Sequence, residues 1–209
     1  MTTRGRSRAL PADPRARILR SALEVFSARG YRGGSLTIIA ETAGLTRAGV
    51  LHHFPNKEAV LLALLDLRDA ELEAVIPQPG RTLLELLAEL DQLVAATVAN
   101  RQMVQLAHIL TAEASGEEHP ARAWVARRYV RLRAIVADAA RLSMDKGELS
   151  PELDPNALAA LIIGVVEGAE NQWLVDPERV DPVQVIRQLH WLFRASTAGT
   201  ATTATAAKP

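Results

Sequence analysis

The chain contains no cysteine. That excludes disulfides and thiolate metal sites, and it makes a reducing cytoplasm the simplest home. Aromatic residues are scarce, at 4% of the 209 residues against a hydrophobic content of 48%. Alanine and leucine supply most of the apolar mass and β-branched runs are few, which points to an all-α protein. The opening MTTRGRSRALPADPRAR has no apolar core and so does not read as a signal peptide. The longest apolar run, Ala157 to Val166, is too short to cross a bilayer and runs into Glu167. Catalytic sets are missing as well: no glycine-rich phosphate loop, no nucleophile elbow and no paired-carboxylate spacing. The histidines, at 52, 53, 108, 119 and 190, lack metal-ligand spacing. These absences lead to the expectation of a binding protein rather than an enzyme, with no cofactor and no membrane partner.

Net charge is also absent, but only as a sum. Residues 1–57 carry ten Lys/Arg against three Asp/Glu, and residues 58–209 carry fourteen against twenty-one. A head of +7 on a body of −7 can approach a polyanion head-first, although the whole chain is neutral. Residues 1–12 hold Arg4, Arg6 and Arg8 with no acid, as a flexible basic arm would.

The charge changes sign at the end of the most informative stretch, SLTIIAETAGLTRAGVLHHFPNK, Ser35 to Lys57. Ser35 can cap a helix whose inner face holds Leu36, Ile39, Ala40 and Ala43. Gly44 supplies the left-handed residue at which that helix stops. Thr46 caps a second helix with Val50 and Phe54 inward, and the Phe54-Pro55 pair ends it. Ala40, Gly44 and Val50 thus fill the small, turn and plug positions of a helix-turn-helix. Thr46, Arg47, His52 and His53 are left as polar groups suited to phosphates and base edges. Taken alone, this triple fits an ordinary helical hairpin equally well.

Around it the chain reads as helices. Asp13-Pro14 opens the first, with Ile18, Ala22, Val25 and Phe26 inward and Gly30 at its end. A connecting helix covers 56–76, and Pro77-Gln78-Pro79-Gly80 breaks the chain. Further helices are expected at about 82–99, 103–114 and 120–146. Arg127, Arg128, Arg131 and Arg133 in the last of these read as a solvated face. Asp154-Pro155 and Asp181-Pro182 open helices at about 155–174 and 182–195, with more apolar surface than one chain can cover. Gly164 and Gly168 leave a smooth strip on the first, so this pair is the expected homodimer seam, a four-helix bundle made by two chains. Residues 196–209, STAGTATTATAAKP, read as a disordered tail. The expected layout is an arm at 1–12, a DNA-binding domain at 13–55, the connecting helix at 56–76, a ligand-binding and dimerisation domain at 81–195, and the tail.

Residues 15–65 resemble the N-terminal domain of the TetR family of transcriptional regulators. The resemblance rests on F-x-x-x-G-Y at Phe26–Tyr31, I-A-x-x-A-G at Ile39–Gly44 and H-F-x-x-K-E at His53–Glu58. Three positions depart from the pattern. Leu51 stands where the family usually has a DNA-touching tyrosine, Ile38 where a polar residue is common, and Gly34 where threonine is common. The resemblance implies that Arg47 and Ala48 face base edges and that Thr37, Thr46, His53 and Lys57 hold phosphates. Ser35, Leu51 and His52 complete the implied contact set on double-stranded DNA, a near-palindromic operator. The segment Glu167–Pro177, EGAENQWLVDP, resembles the C-terminal domains of one subset of the family. A regulator of this kind would hold a small-molecule effector in its body, with Met103, His108, Trp124, Glu167 and Asn171 as candidate lining residues. The implied function is a repressor released from its operator by that effector. The alternative is a helical ligand-binding or adaptor dimer with little DNA affinity, which Leu51 favours.

Overall fold

The computed structural model describes residues 13–73, 79–116 and 118–205, without the side chains of 71–73 and 196–205. Among the described residues the chain forms nine helices and no strand. They are α1 (Pro14–Gly33), α2 (Leu36–Ala43), α3 (Arg47–His53), α4 (Lys57–Glu73), α5 (Leu83–Val98), α6 (Arg101–Glu113), α7 (Arg122–Asp145), α8 (Pro155–Val175) and α9 (Pro182–Thr205). Local chemistry fixes most of their starts. Asp13 and Asp154 accept from the backbone two residues on, each with proline at the first helical position. Thr82 and Glu85 form a reciprocal capping box at α5, and Asn100 caps α6. The backbone hydrogen bond from Thr82 holds the Glu85 carboxyl below its usual range.

Two apolar clusters divide the molecule. The first gathers Ile18, Phe26, Ile39, Val50, Leu61 and Leu64 from α1–α4 with Met103, Leu110 and Trp124 from α6 and α7. The second joins Leu83, Leu87, Ala140, Ala159 and Ile162 from α5, α7 and α8. Helices α1–α4 therefore do not stand apart: α6 and the start of α7 complete their core. A polar joint reinforces this contact. The Tyr31 amide donates to Glu113 Oε2 at 3.0 Å, and the Tyr31 ring meets the buried His119 edge-on at 5.1 Å. Burial, with Glu58 nearby, raises the Tyr31 phenol above its ordinary pKa.

Several expected boundaries move. Helix α1 continues past Gly30 to Gly33, with Gly30 as a kink at φ 69° and ψ 174°. A side chain at Gly30 would meet the Glu113 carboxylate, so the glycine serves both the backbone and the joint. Helix α7 starts at Arg122 rather than Pro120, because His119 Nδ1 accepts from the Ala121 amide and closes a turn first. Helix α9 runs to Thr205, ten residues beyond the expected end at 195. No proline interrupts that alanine- and threonine-rich run before Pro209, and a single glycine, Gly199, does not break it. The basic arm at 1–12, the stretch 74–78 that holds the first half of the expected break, and 206–209 lie outside the described residues.

Gly34 explains one departure from the family pattern. A Cβ there would sit 2.8 Å from the ring of fully buried Phe26, so the larger residue has no room. Gly34→Thr should lower stability by about 1–3 kcal/mol through overpacking. Chemical denaturation of the two proteins measures it, and equal midpoints would refute the packing account.

Candidate nucleic-acid interface and ligand cavity

The α2–α3 hairpin is held from inside. Gly44 adopts φ 64° and ψ 40°, and the Leu45 amide reaches Ala40 O at 2.9 Å to close the turn. Ile39, Ala40 and Val50 are buried at the crossing. Arg17 of α1 donates to the carbonyls of Ala43 and Gly44, meeting the exposed acceptors at the end of α2. Sequence reasoning did not single out Arg17; its only signal is a cation on α1 opposite the turn.

What remains faces solvent. Thr37, Thr46, Arg47, Ala48, His52 and His53 are exposed, and Leu51 is half-buried. Ser35 and Thr46 act as caps, accepting from the Ile38 amide at 3.2 Å and the Gly49 amide at 3.0 Å. Their hydroxyl protons stay available to an acceptor. The His52 and His53 rings lie edge to face at 5.3 Å, so both turn toward the same patch. Lys57 departs from its expected role. Its ammonium donates to Tyr31 O at 2.9 Å and Gly34 O at 3.0 Å, and it sits 4.1 Å above the Tyr31 ring. Two of its three donors thus fasten α4 to the α1–α2 corner, leaving one for a phosphate.

The body encloses a cavity of about 400 Å³ between α4, α5, α7 and α8. Leu86, Leu90 and Val94 of α5, Leu132, Ile135 and Val136 of α7, and Ile162, Ile163 and Val166 of α8 form its apolar walls. Arg68 and Asp69 of α4, Arg127, Arg128 and Arg131 of α7, and Glu167 and Glu170 of α8 form a charged end. Trp124 seals that end and donates Nε1–H to Asp69 Oδ2 at 2.8 Å. Glu167 accepts from the Tyr129 hydroxyl at 2.8 Å and from Arg128 at 3.2 Å. Burial, followed by that bond to Glu167, raises the Tyr129 phenol above its ordinary pKa, so it stays a donor at neutral pH.

Of the expected lining residues, Trp124 and Glu167 are in the wall and three are not. Met103 is buried in the first core cluster, a consequence of α6 completing the core of α1–α4. His108 points at Glu170, with Nε2 2.9 Å from Oε2, and stands behind the wall. Asn171 is exposed and donates to Glu167 O one turn back on its own helix. Arg127, Arg131 and Arg133 are exposed, as a solvated face requires, and Arg128 is half-buried and paired with Glu167. Arg127, Arg128 and Arg131 follow Trp124 at helical spacing, so the stripe that buries Trp124 also brings them to the cavity.

Helix α8 keeps one side open. Leu161 is 57% exposed, Val175 86% and, on α9, Trp191 63%. Nothing lies within 4 Å of a Cβ built at Gly164 or Gly168. Among the described residues, α8 is the one helix long and apolar enough to cross a membrane, although the apolar run within it was read as too short. Its Glu167 and Glu170 are engaged with Arg128, Tyr129 and His108 inside the fold.

Comparison with known proteins gives consistent matches. Residues 18–64 fit the model of bacterial regulatory proteins of the tetR family. Residues 106–196 fit a tetracyclin repressor-like C-terminal domain. The HTH-type transcriptional regulator RutR of Escherichia coli K12 is 47% identical over 64 residues, 31% of this chain and 30% of that protein. The regulator UidR of the same strain is 27% identical over 158 residues, 74% of this chain and 78% of that protein. The crystal structure of the transcriptional regulator FadR from Bacillus subtilis, in complex with stearoyl-CoA, superposes with a TM-score of 0.67. That likeness has 20% identity, covers 85% of this chain and 96% of the other, and speaks for the fold.

Proposed function

Because the chain belongs to the TetR family of bacterial transcriptional regulators, we propose that it acts as a ligand-released repressor. Two copies bind a near-palindromic DNA operator, and a small molecule in the cavity lowers their affinity for it. The observation that carries this reading is the path of α4. The helix begins at Lys57, which is bonded to the α1–α2 corner, and three turns later it places Arg68 and Asp69 in the cavity wall. A ligand that touches those residues touches the same rigid rod that orients α2 and α3. It can shift the equilibrium only by the difference in its affinity for the two head positions.

The exposed first turn of α3 supports base reading by Arg47 and Ala48, with Thr37, Thr46, His52 and His53 toward phosphates. Ser35, Leu51 and Lys57 then shape and brace this surface more than they touch the duplex. Arg47→Ala should weaken operator binding by about 1–3 kcal/mol and relax specificity at one base pair. Fluorescence anisotropy with an operator selected from genomic fragments, at stated salt, measures it. If the unaltered protein binds selected and scrambled duplexes equally, the repressor reading falls and the adaptor-dimer reading replaces it.

A further inference from the structure

The cavity has a chemical polarity that narrows what it accepts, and the inference drawn from it rests on the reading of this cavity as the effector site. Helices α7 and α8 run antiparallel along its length, with Arg128 opposite Glu167 at 3.2 Å. Past Arg131, one turn further along α7, the wall turns apolar toward Val136 and Ile162. The opposite direction leads to α4, where Arg68 is buried in the wall.

At the charged end, four guanidiniums meet three carboxylates. Every one of those carboxylates already has a donor inside the protein. Asp69 accepts from Trp124, Glu167 from Tyr129 and Arg128, and Glu170 lies against His108. One cationic donor is not matched in the same way. The Nε of Arg128 is buried and donates to no acceptor among the described residues. A buried guanidinium donor without an acceptor is costly, and an anionic ligand oxygen relieves that cost. A cationic ligand would instead lie among four arginines.

We propose that the cavity takes an amphipathic monoanion, a hydrocarbon chain ending in a carboxylate. The carboxylate lies beside Arg128 and Arg68, at the α4 end, and the chain runs toward Val136 and Ile162. The eight steps along α7 from Arg128 to Val136 rise about 12 Å. An extended chain of roughly nine or ten carbons has that length. The orientation gives the head group its regulatory effect, because Arg68 sits on the rod that carries the DNA-binding hairpin. The hydrocarbon supplies affinity, through burial against α5, α7 and α8.

Calorimetric titration of the full-length protein, with no DNA present, tests the proposal. The probes are decanoate, butyrate, 1-decanol and decylammonium. Decanoate should bind at least tenfold more tightly than each of the other three. Arg128→Gln should reduce decanoate affinity at least tenfold while leaving the affinity for 1-decanol unchanged. Circular dichroism and an unchanged oligomeric state establish that the variant is folded. Equal or tighter binding of decylammonium or 1-decanol, indifference of decanoate to Arg128→Gln, or binding of none of the probes would overturn the assignment. Operator affinity is measured separately, so a protein that binds decanoate but no duplex refutes the repressor reading alone.

Discussion

Leu161→Glu should convert the protein to a monomer and lower operator affinity by about 10²–10⁴-fold. Leu161 is 57% exposed in the first half of α8, on the face that also holds Gly164, Gly168 and Val175. Trp191 and Leu192 of α9 are exposed as well. Large apolar side chains on two helices leave a surface that a second copy of the same two helices can cover. In a two-fold seam each substitution acts twice, so two carboxylates enter the apolar contact. A monomer reads one half-site, and the gain from tethering two recognition helices is lost. Sedimentation velocity gives the oligomeric state, and anisotropy with the operator gives the affinity. Gly164→Ile is the informative companion. No atom lies within 4 Å of the added Cβ, and the substitution removes a helix-destabilising glycine, so the isolated fold tolerates it. Against a close-packed partner helix it should still weaken the dimer. A Leu161→Glu protein that stays dimeric and binds operator normally would show that the seam lies elsewhere.

The sequence made the helix-turn-helix legible because its signals are local. Ser35, Gly44 and Thr46 each act on backbone groups within a few residues, and the structure uses them at those positions. Ala40 and Val50 report a crossing between neighbours ten residues apart. The cavity was less legible because its walls come from helices distant in the chain. Arg68 and Asp69 meet Arg128 and Glu167 only after α4, α7 and α8 have packed. An arginine run carries no local sign of whether a helix face is wet or enclosed. Met103 shows the same limit in reverse: a methionine on an amphipathic helix fits a core and a pocket wall equally, and the packing of α6 against α1 put it in the core. Lys57 was assigned to phosphate by position. No periodicity could reveal that the carbonyls of Tyr31 and Gly34 lie within reach of it.

Trp124→Ala should cost about 3–5 kcal/mol of folding stability, the range for deleting a large buried aromatic. Trp124 is 3% exposed and belongs to the core that α1–α4 share with α6 and α7. It also holds Asp69 of α4 through Nε1, so the deletion leaves a carboxylate in the cavity wall without that donor. Trp124→Phe separates the two contributions. It keeps most of the packing and loses only the hydrogen bond, and it should cost about 1.5–3 kcal/mol, as expected for a bond to a charged group. Urea denaturation followed at 222 nm measures both. The functional consequence lies in the coupling. Trp124 is a rigid contact between α7 and the helix that carries the DNA-binding hairpin. A folded Trp124→Phe protein should therefore still bind operator and still bind ligand, but with a smaller ratio between its operator affinities without and with ligand. If that ratio is unchanged while stability falls as expected, Trp124 is a core residue only, and the signal from the cavity passes through Arg68 instead.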